Sequence, residues 1–412
     1  MIYIVYSVVC RYLFAINRFS GGENYIRYML YIEVAISVPL LFYSFSHYSK
    51  DVTPRNKSWA IFSLVYLLGL ELLNTFLFSS IYSYVVVDFV FWCLFFAMFF
   101  LGSSEDFWKM FMTYAVIILL FACAESVLEL ATNTFTYIRG AVDESSYLYD
   151  IQMGFDVLQI ILVYFVLTKQ KTLTIITLVA FAFYFVLQFL FQKRLPLLRI
   201  LLIVFFLIYA SRSWLSRTRM KSLYVIIAIV AVVAVSLIPA EYYSATKERF
   251  FERGSVAETT ETDSRFLIAG RAISHTFNNP KNLLIGEGLG GTITGDFIAK
   301  TINANGKEVD GIAEIEVGAA TIFFRYGILF FIPLFFKFLE VLFKFKRYQR
   351  NPLALSCWVY LAVFIIMTFI GESFPGSQTP INTLMVAGSL GYLCSPYSKS
   401  QKGFFEINRH NL

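Results

Sequence analysis

Apolar runs of roughly 20 residues, long enough to cross a bilayer as helices, recur along most of this chain and are parted by short polar breaks. About twelve segments qualify on the length rule: 1–16, 26–46, 58–79, 82–102, 108–130, 153–168, 172–191, 195–212, 223–241, 317–341, 353–370 and 379–396. The runs are continuous rather than alternating, which predicts helices and argues against a closed β-barrel. The expected fold class is an all-α polytopic membrane protein. The start, MIYIVYSVVCRYLFAI, has no basic region before its apolar stretch, so it reads as a retained first span and not a signal peptide.

One stretch breaks this rhythm. Residues 244–316 are polar, rich in Glu, Thr, Gly and Asn, and a loop of that length is usually functional. It divides the chain into nine spans over 1–243, the loop itself, three spans over 317–396 and a tail over 397–412. Within the loop, TDSRFLIAGRAISHTFNNP predicts a helix over about 264–278, capped by Asp263 or Ser264 and ended by Asn278-Asn279-Pro280. Phe266, Ala269, Ile273 and Phe277 share one face, with Arg265, Arg271 and His275 on the other. Arg271 and His275 stand one turn apart. Such a helix lies on the membrane surface or on the bundle, with its cations turned to a ligand. Beyond it, Gly286, Gly288, Gly290, Gly291 and Gly295 form a turn region without the strand–turn–helix context of a dinucleotide fingerprint. Glycine here permits close approach of backbone to a ligand, or supplies tight turns.

Composition agrees with a membrane location. Hydrophobic residues are 58% and charged residues 15%, against about 45–50% and 25% in soluble domains. Cys10, Cys93, Cys123, Cys357 and Cys394 all lie in apolar runs and suggest neither a disulfide framework nor a zinc site. No metal and no cofactor are expected, and Ser/His/Asp catalysis has no signature. Lys and Arg crowd the connections on one side, among them Lys50, Arg55, Lys57, Arg217, Lys221, Lys344 and Arg350. That side is predicted cytoplasmic, with both termini inside and residues 131–152 and 244–316 outside. The net charge of +6 then records topology, not nucleic-acid binding.

Ionisable residues within spans default to functional hypotheses. Arg11, Glu33, Glu71, Asp88, Glu125, Asp156, Arg199 and Arg325 all fall in the outer part of their spans on this topology. Their shared depth suggests a polar cavity open to the outside, the alternative being structural ion pairs between helices. Lys337 and Glu340, near an inner end, are expected to snorkel. Lys193, Arg194 and Arg199, with Pro196 at a helix start, suit an anion at the outer mouth.

The order of these features resembles the O-antigen polymerase and O-antigen ligase family of bacterial surface-polysaccharide assembly. Three pieces over residues 190–345 carry the resemblance. Lys193-Arg194-Leu195-Pro196 opens a late span. Arg265 is followed by Pro280 and then by Gly286-Glu287-Gly288-Leu289-Gly290. Glu316 precedes Gly327-Ile328 by about eleven residues. The family's loop helix often carries Trp where Ala269 stands, and its ligase branch carries His where Glu316 stands, which leaves polymerase as the nearer relative.

The resemblance implies a metal-independent glycosyltransferase of the bacterial inner membrane. It would move a growing glycan from polyprenyl diphosphate onto the next lipid-linked repeat unit at the outer face. Glu316 and Arg265 are then the expected catalytic residues. Arg194, Arg199, Arg271, Arg325, His275 and Glu287 are the expected diphosphate or substrate contacts. Implied partners are the polyprenyl-diphosphate-linked oligosaccharide, membrane lipid, a chain-length regulator and a flippase. The alternatives are a ligase acting on another acceptor and, from a different class, a lipid-linked oligosaccharide flippase or transporter.

Overall fold

The computed structural model describes residues 23–77, 82–132, 155, 157–190, 194–212, 215–216, 220–221, 224–225, 227–228, 232, 236, 264–289, 291, 301–302, 308–309, 315, 317–371, 374 and 380–399. The helices in chain order are α1 (Glu23–Tyr48), α2 (Pro54–Leu77), α3 (Tyr82–Gly102), α4 (Glu105–Thr132), α5 (Leu158–Thr168), α6 (Lys171–Leu190) and α7 (Arg194–Arg212). The loop contributes α8 (Ser264–Asn278) and α9 (Pro280–Ile285). The chain then continues through α10 (Gly318–Phe343), the short α11 (Phe345–Tyr348), α12 (Pro352–Ile370) and α13 (Pro380–Cys394). Apart from a two-residue antiparallel ladder, Thr301–Ile302 with Glu308–Val309, and short 3-10 turns, the described elements are α-helical.

Each apolar run between 26 and 212, and between 317 and 396, coincides with one of these helices to within a few residues. The run at 1–16 lies outside the described residues, and the run at 223–241 is described only at scattered positions. Among the described residues, five helices are long and apolar enough to cross a membrane: Glu105–Ala124, Lys171–Gln188, Leu195–Arg212, Gly318–Phe343 and Pro352–Ile370.

Burial sorts these helices. α5 and α12 are buried along nearly their whole length, whereas α6, α7 and α10 turn Ile175, Val179, Leu201, Phe205 and Phe336 outward. α12 is the hub, packing on α5, α7, α10 and α13, while α3 packs between α1 and α13. Lipid is as apolar as leucine, so helices there associate by close packing of small residues and by hydrogen bonds. The α3–α13 contact follows that rule: Gly391 lies against the Phe99 backbone and Gly102 against that of Gly388.

α10 and α12 are joined through α11 and run antiparallel, so Gly318 and Gly371 lie at one end of the bundle. Leu195, at the start of α7, rests on Gly371 at that same end, and α8 and α9 pack on α10. At the opposite end Lys337 departs from expectation. It does not snorkel: it is buried, and its Nζ donates to Asn56 Oδ1 at 2.7 Å and to Glu340 Oε2 at 2.8 Å. A partner carboxylate and an amide oxygen offset the cost of removing the ammonium from water.

Candidate functional site

The structural centre of the loop-side end is a break in α10. Gly327 sits at φ 66°, ψ −176°, outside helical geometry. A helix residue there would leave the preceding carbonyls bonded four residues ahead; the break frees them. Three consecutive carbonyls find donors elsewhere. Phe324 O accepts from the Glu287 N–H at 2.9 Å, Arg325 O from the Gly288 N–H at 2.8 Å, and Tyr326 O from the Tyr66 hydroxyl of α2 at 3.1 Å. Unsatisfied, each would cost about 1–3 kcal/mol.

The glycine-rich turn thus has a specific duty. Gly286, at φ 75°, lies so close to Arg325 that a Cβ would meet its carbonyl; Gly327 would likewise meet the Leu284 carbonyl. The close approach is of loop backbone to helix backbone.

Arg325 fastens the joint from its other end. Nη1 donates to both Asp88 carboxylate oxygens, at 2.8 and 2.9 Å, and Nε donates to Gly291 O at 3.3 Å. The Tyr326 hydroxyl adds a bond to Asp88 Oδ2 at 3.3 Å. Asp88 and Arg325 are 4% and 9% exposed, so for this pair the interhelical ion pair is what forms, and not the lining of an open cavity. Arg325, expected as a diphosphate contact, has its Nη1 engaged by Asp88.

Glu287 is presented by this joint. Its backbone is held by Phe324, and its Oε1 accepts from the Asn282 side-chain amide, a buried group. The same oxygen lies 2.8 Å from His275 Nε2. Asn282 Nδ2 also lies 3.4 Å from Nε2. With Glu287 as the acceptor, the tautomer that fits the 2.8 Å contact carries its hydrogen on Nε2 and presents Nδ1 as the accepting nitrogen. The His275 side chain is 60% exposed. Arg271, also exposed, precedes it by one turn on α8. A buried amide thus orients a half-buried carboxylate, which orients an exposed imidazole beside a guanidinium. His275 and Glu287 entered the sequence reading as separate contacts; the structure brings them together.

The remaining expected residues divide plainly. Arg199 on α7 faces the side-chain amide of Gln159 on α5; the amide orientation that satisfies both groups has the Gln159 oxygen accepting from Nε and, at 2.8 Å, from Nη2. Arg194 and Arg265 begin α7 and α8 as helical residues whose side chains are not among those described. Glu316 lies outside the described residues, as do Arg11 and Asp156; the side chains of Glu33, Glu71 and Glu125 are likewise not described.

α8 runs over Ser264–Asn278, and its apolar face is divided between the bundle and the exterior. Ala269 and Ala272 pack with Ala320 and Phe324 of α10, and Thr276, one turn on from Ala272, is buried, while Phe266, Ile273 and Phe277 are exposed. Small residues allow the close helix contact, and the bulky ones are left outside it. Sequence reasoning also missed Asn282, Tyr66 and the Asp88–Arg325 pairing. The available signal was a glycine in the middle of a long apolar run, followed by Pro333.

An apolar crevice between α10 and α12, lined by Ile322, Phe331, Phe335, Phe364, Ile365 and Phe369, completes this end of the molecule. Among the described residues, no group of three His, Cys, Asp or Glu side chains is placed to hold a metal ion. No family model, no curated protein and no solved structure matches the chain.

Proposed function

We propose that the protein is a polysaccharide repeat-unit polymerase of the bacterial inner membrane, a glycosyltransferase using a polyprenyl-diphosphate-linked donor. The observation that carries the reading is the Asn282–Glu287–His275 chain beside Arg271, held at the end of a bundle with membrane-crossing helices. In this reading Arg271 holds the donor diphosphate, together with Arg265, Arg194 and Arg199, since guanidinium forks suit phosphate oxygens. The acceptor hydroxyl attacks the anomeric carbon, the bond from that carbon to the diphosphate oxygen breaks, and the hydroxyl proton passes to His275 Nδ1. Glu287 stabilises the resulting imidazolium, and the cations stabilise the charge on the leaving diphosphate. The apolar crevice beside α10 suits a lipid-linked substrate. The twelve-span topology, with both termini in the cytoplasm and residues 244–316 outside, belongs to this proposal.

A lipid-linked oligosaccharide transporter is the second reading. The broken α10 favours it, because discontinuous membrane helices mark substrate sites in transporters. Against it, all three freed carbonyls already have donors within the protein.

Deletion of the gene, followed by gel analysis of surface polysaccharide, separates the readings. A polymerase leaves one repeat unit and no ladder. A ligase leaves polymer on the carrier and none on the acceptor. A transporter leaves lipid-linked units trapped at the inner face. An unchanged ladder refutes all three.

A further inference from the structure

α8 presents three distinct faces. Ala269 and Ala272 pack on α10, and Thr276 on the same side of α8 is buried. Arg271, Ser274, His275 and Asn278 form an exposed polar face. Between them runs an exposed apolar stripe, Phe266 (38%), Ile273 (38%) and Phe277 (60%), at the i, i+7, i+11 spacing of a single helical face. Leu284 of α9 is also exposed, at 50%.

This stripe is not an isolated patch. The Phe277 ring lies 5.5 Å from that of Phe323 on α10, Phe323 lies 5.7 Å from Phe331, and Phe331 stacks with Phe335 at 5.8 Å. Phe335 in turn meets Phe369 of α12 at 5.5 Å, and Phe369 is exposed, as are Leu329, Ile332 and Phe336 on the neighbouring side of α10. α10 is one of the helices long and apolar enough to cross a membrane. The apolar stripe of α8 therefore continues into the exposed apolar flank of a membrane-crossing helix. Whatever solvates that flank also solvates the stripe.

We infer that α8 is an interfacial helix, its Phe266–Ile273–Phe277 stripe seated among lipid chains while Ala269 and Ala272 lock it to the bundle. The partner is the lipid surface itself. A helix with such a stripe sinks about 5–10 Å into the boundary between headgroups and chains. Charge agrees with that placement, since Arg271 on the polar face stands at headgroup level, where phosphates lie. His275, on the side of α8 away from the stripe, then faces the aqueous edge of the headgroup layer. The inference does not depend on glycosyl transfer. It states where the Asn282–Glu287–His275 chain stands relative to the membrane, whatever that chain acts upon.

The test is depth measurement on the full-length chain. The five native cysteines are replaced, and single cysteines are placed at Phe266, Ile273, Phe277 and, on the polar face, Ser274. Each is labelled with an environment-sensitive fluorophore after reconstitution into phosphatidylcholine–phosphatidylglycerol vesicles. Fluorescence is quenched either by chain-brominated lipid or by aqueous iodide. At 266, 273 and 277 the expected result is a blue-shifted emission and bromolipid quenching several-fold above that at 274. Iodide should show the reverse order. Equal iodide quenching at all four positions overturns the inference. So does shielding of the stripe from both quenchers, because a protein partner or another segment would then cover it. Three stripe positions keep the test decisive if one variant fails to fold, as judged by elution and thermal unfolding. Loss of polymer in a His275 variant whose stripe labels remain in lipid bears on the proposed reaction alone.

Discussion

The Arg325 guanidinium meets Asp88 through Nη1, at 2.8 and 2.9 Å, while the carbonyl of the same residue holds the Gly288 N–H at 2.8 Å. One residue thereby ties α3, the broken α10 and the loop turn together. A buried ion pair adds little net stability over apolar packing, but removing one member strands the other's charge. Asp88→Ala or Arg325→Ala alone should cost about 3–5 kcal/mol. The double replacement Asp88→Leu with Arg325→Met should cost much less. Thermal unfolding in detergent measures this; additive losses would show the two residues to be uncoupled.

Glycine at 286 and 327 answers to backbone geometry. Both have positive φ, and a Cβ at either would strike the facing backbone. Replacement by alanine should destabilise by about 1–3 kcal/mol from strain alone, with further loss as the turn is displaced. Gly69 and Gly270 are helical with open space around them, and alanine there should raise stability by up to about 1 kcal/mol. Opposite signs for the two pairs in one melting assay are the expected outcome.

For the proposed reaction, His275→Ala should lower transfer by about 10²–10⁴-fold, the usual contribution of a positioned base. Glu287→Gln keeps the shape and removes the charge that steadies the imidazolium, so it should lower turnover while leaving protein levels unchanged. Glu316→Gln is the comparison. Strong loss at Glu316 together with normal polymer from His275→Ala would transfer the base role to Glu316.

Arg271→Lys keeps the charge and loses the planar fork, so substrate affinity should fall, seen as a raised KM. Arg199→Lys removes the fork that meets Gln159 from α5 and should lower the melting temperature as well. Unchanged KM in both variants would remove them from the diphosphate site.

What was legible in the chain was local. Apolar run length located the helices, and Asn278-Asn279-Pro280 ended α8 where it does end. For α8 the sequence left open whether its apolar face lies on the membrane surface or on the bundle, and the structure splits that face: Ala269 is buried, while Phe266, Ile273 and Phe277 are exposed. In a membrane protein the bulky side chains can face lipid, and Ala269 and Ala272 are what allow helices to touch. The break at Gly327 depends on donors at Tyr66, Glu287 and Gly288, and Arg325 depends on Asp88, 237 positions earlier. Depth placed Asp88 and Arg325 in the same part of the membrane, but no periodicity within either segment shows that they pair.

The joint at Gly327 also has a direction in time. Each group that receives α10 there — the Tyr66 hydroxyl, the Asp88 carboxylate and the Glu287 and Gly288 amides — precedes it along the chain. Chains emerge from the N-terminus onward, so α10 enters a membrane in which its receptors have already been synthesised. A discontinuous helix carrying three free carbonyls is a poor solitary resident of a bilayer. Transposing the 317–396 segment ahead of the loop would leave the Phe324 and Arg325 carbonyls without the Glu287 and Gly288 amides during synthesis, with Tyr66 and Asp88 alone to receive α10, so the same final contacts would be reached by a more hazardous route.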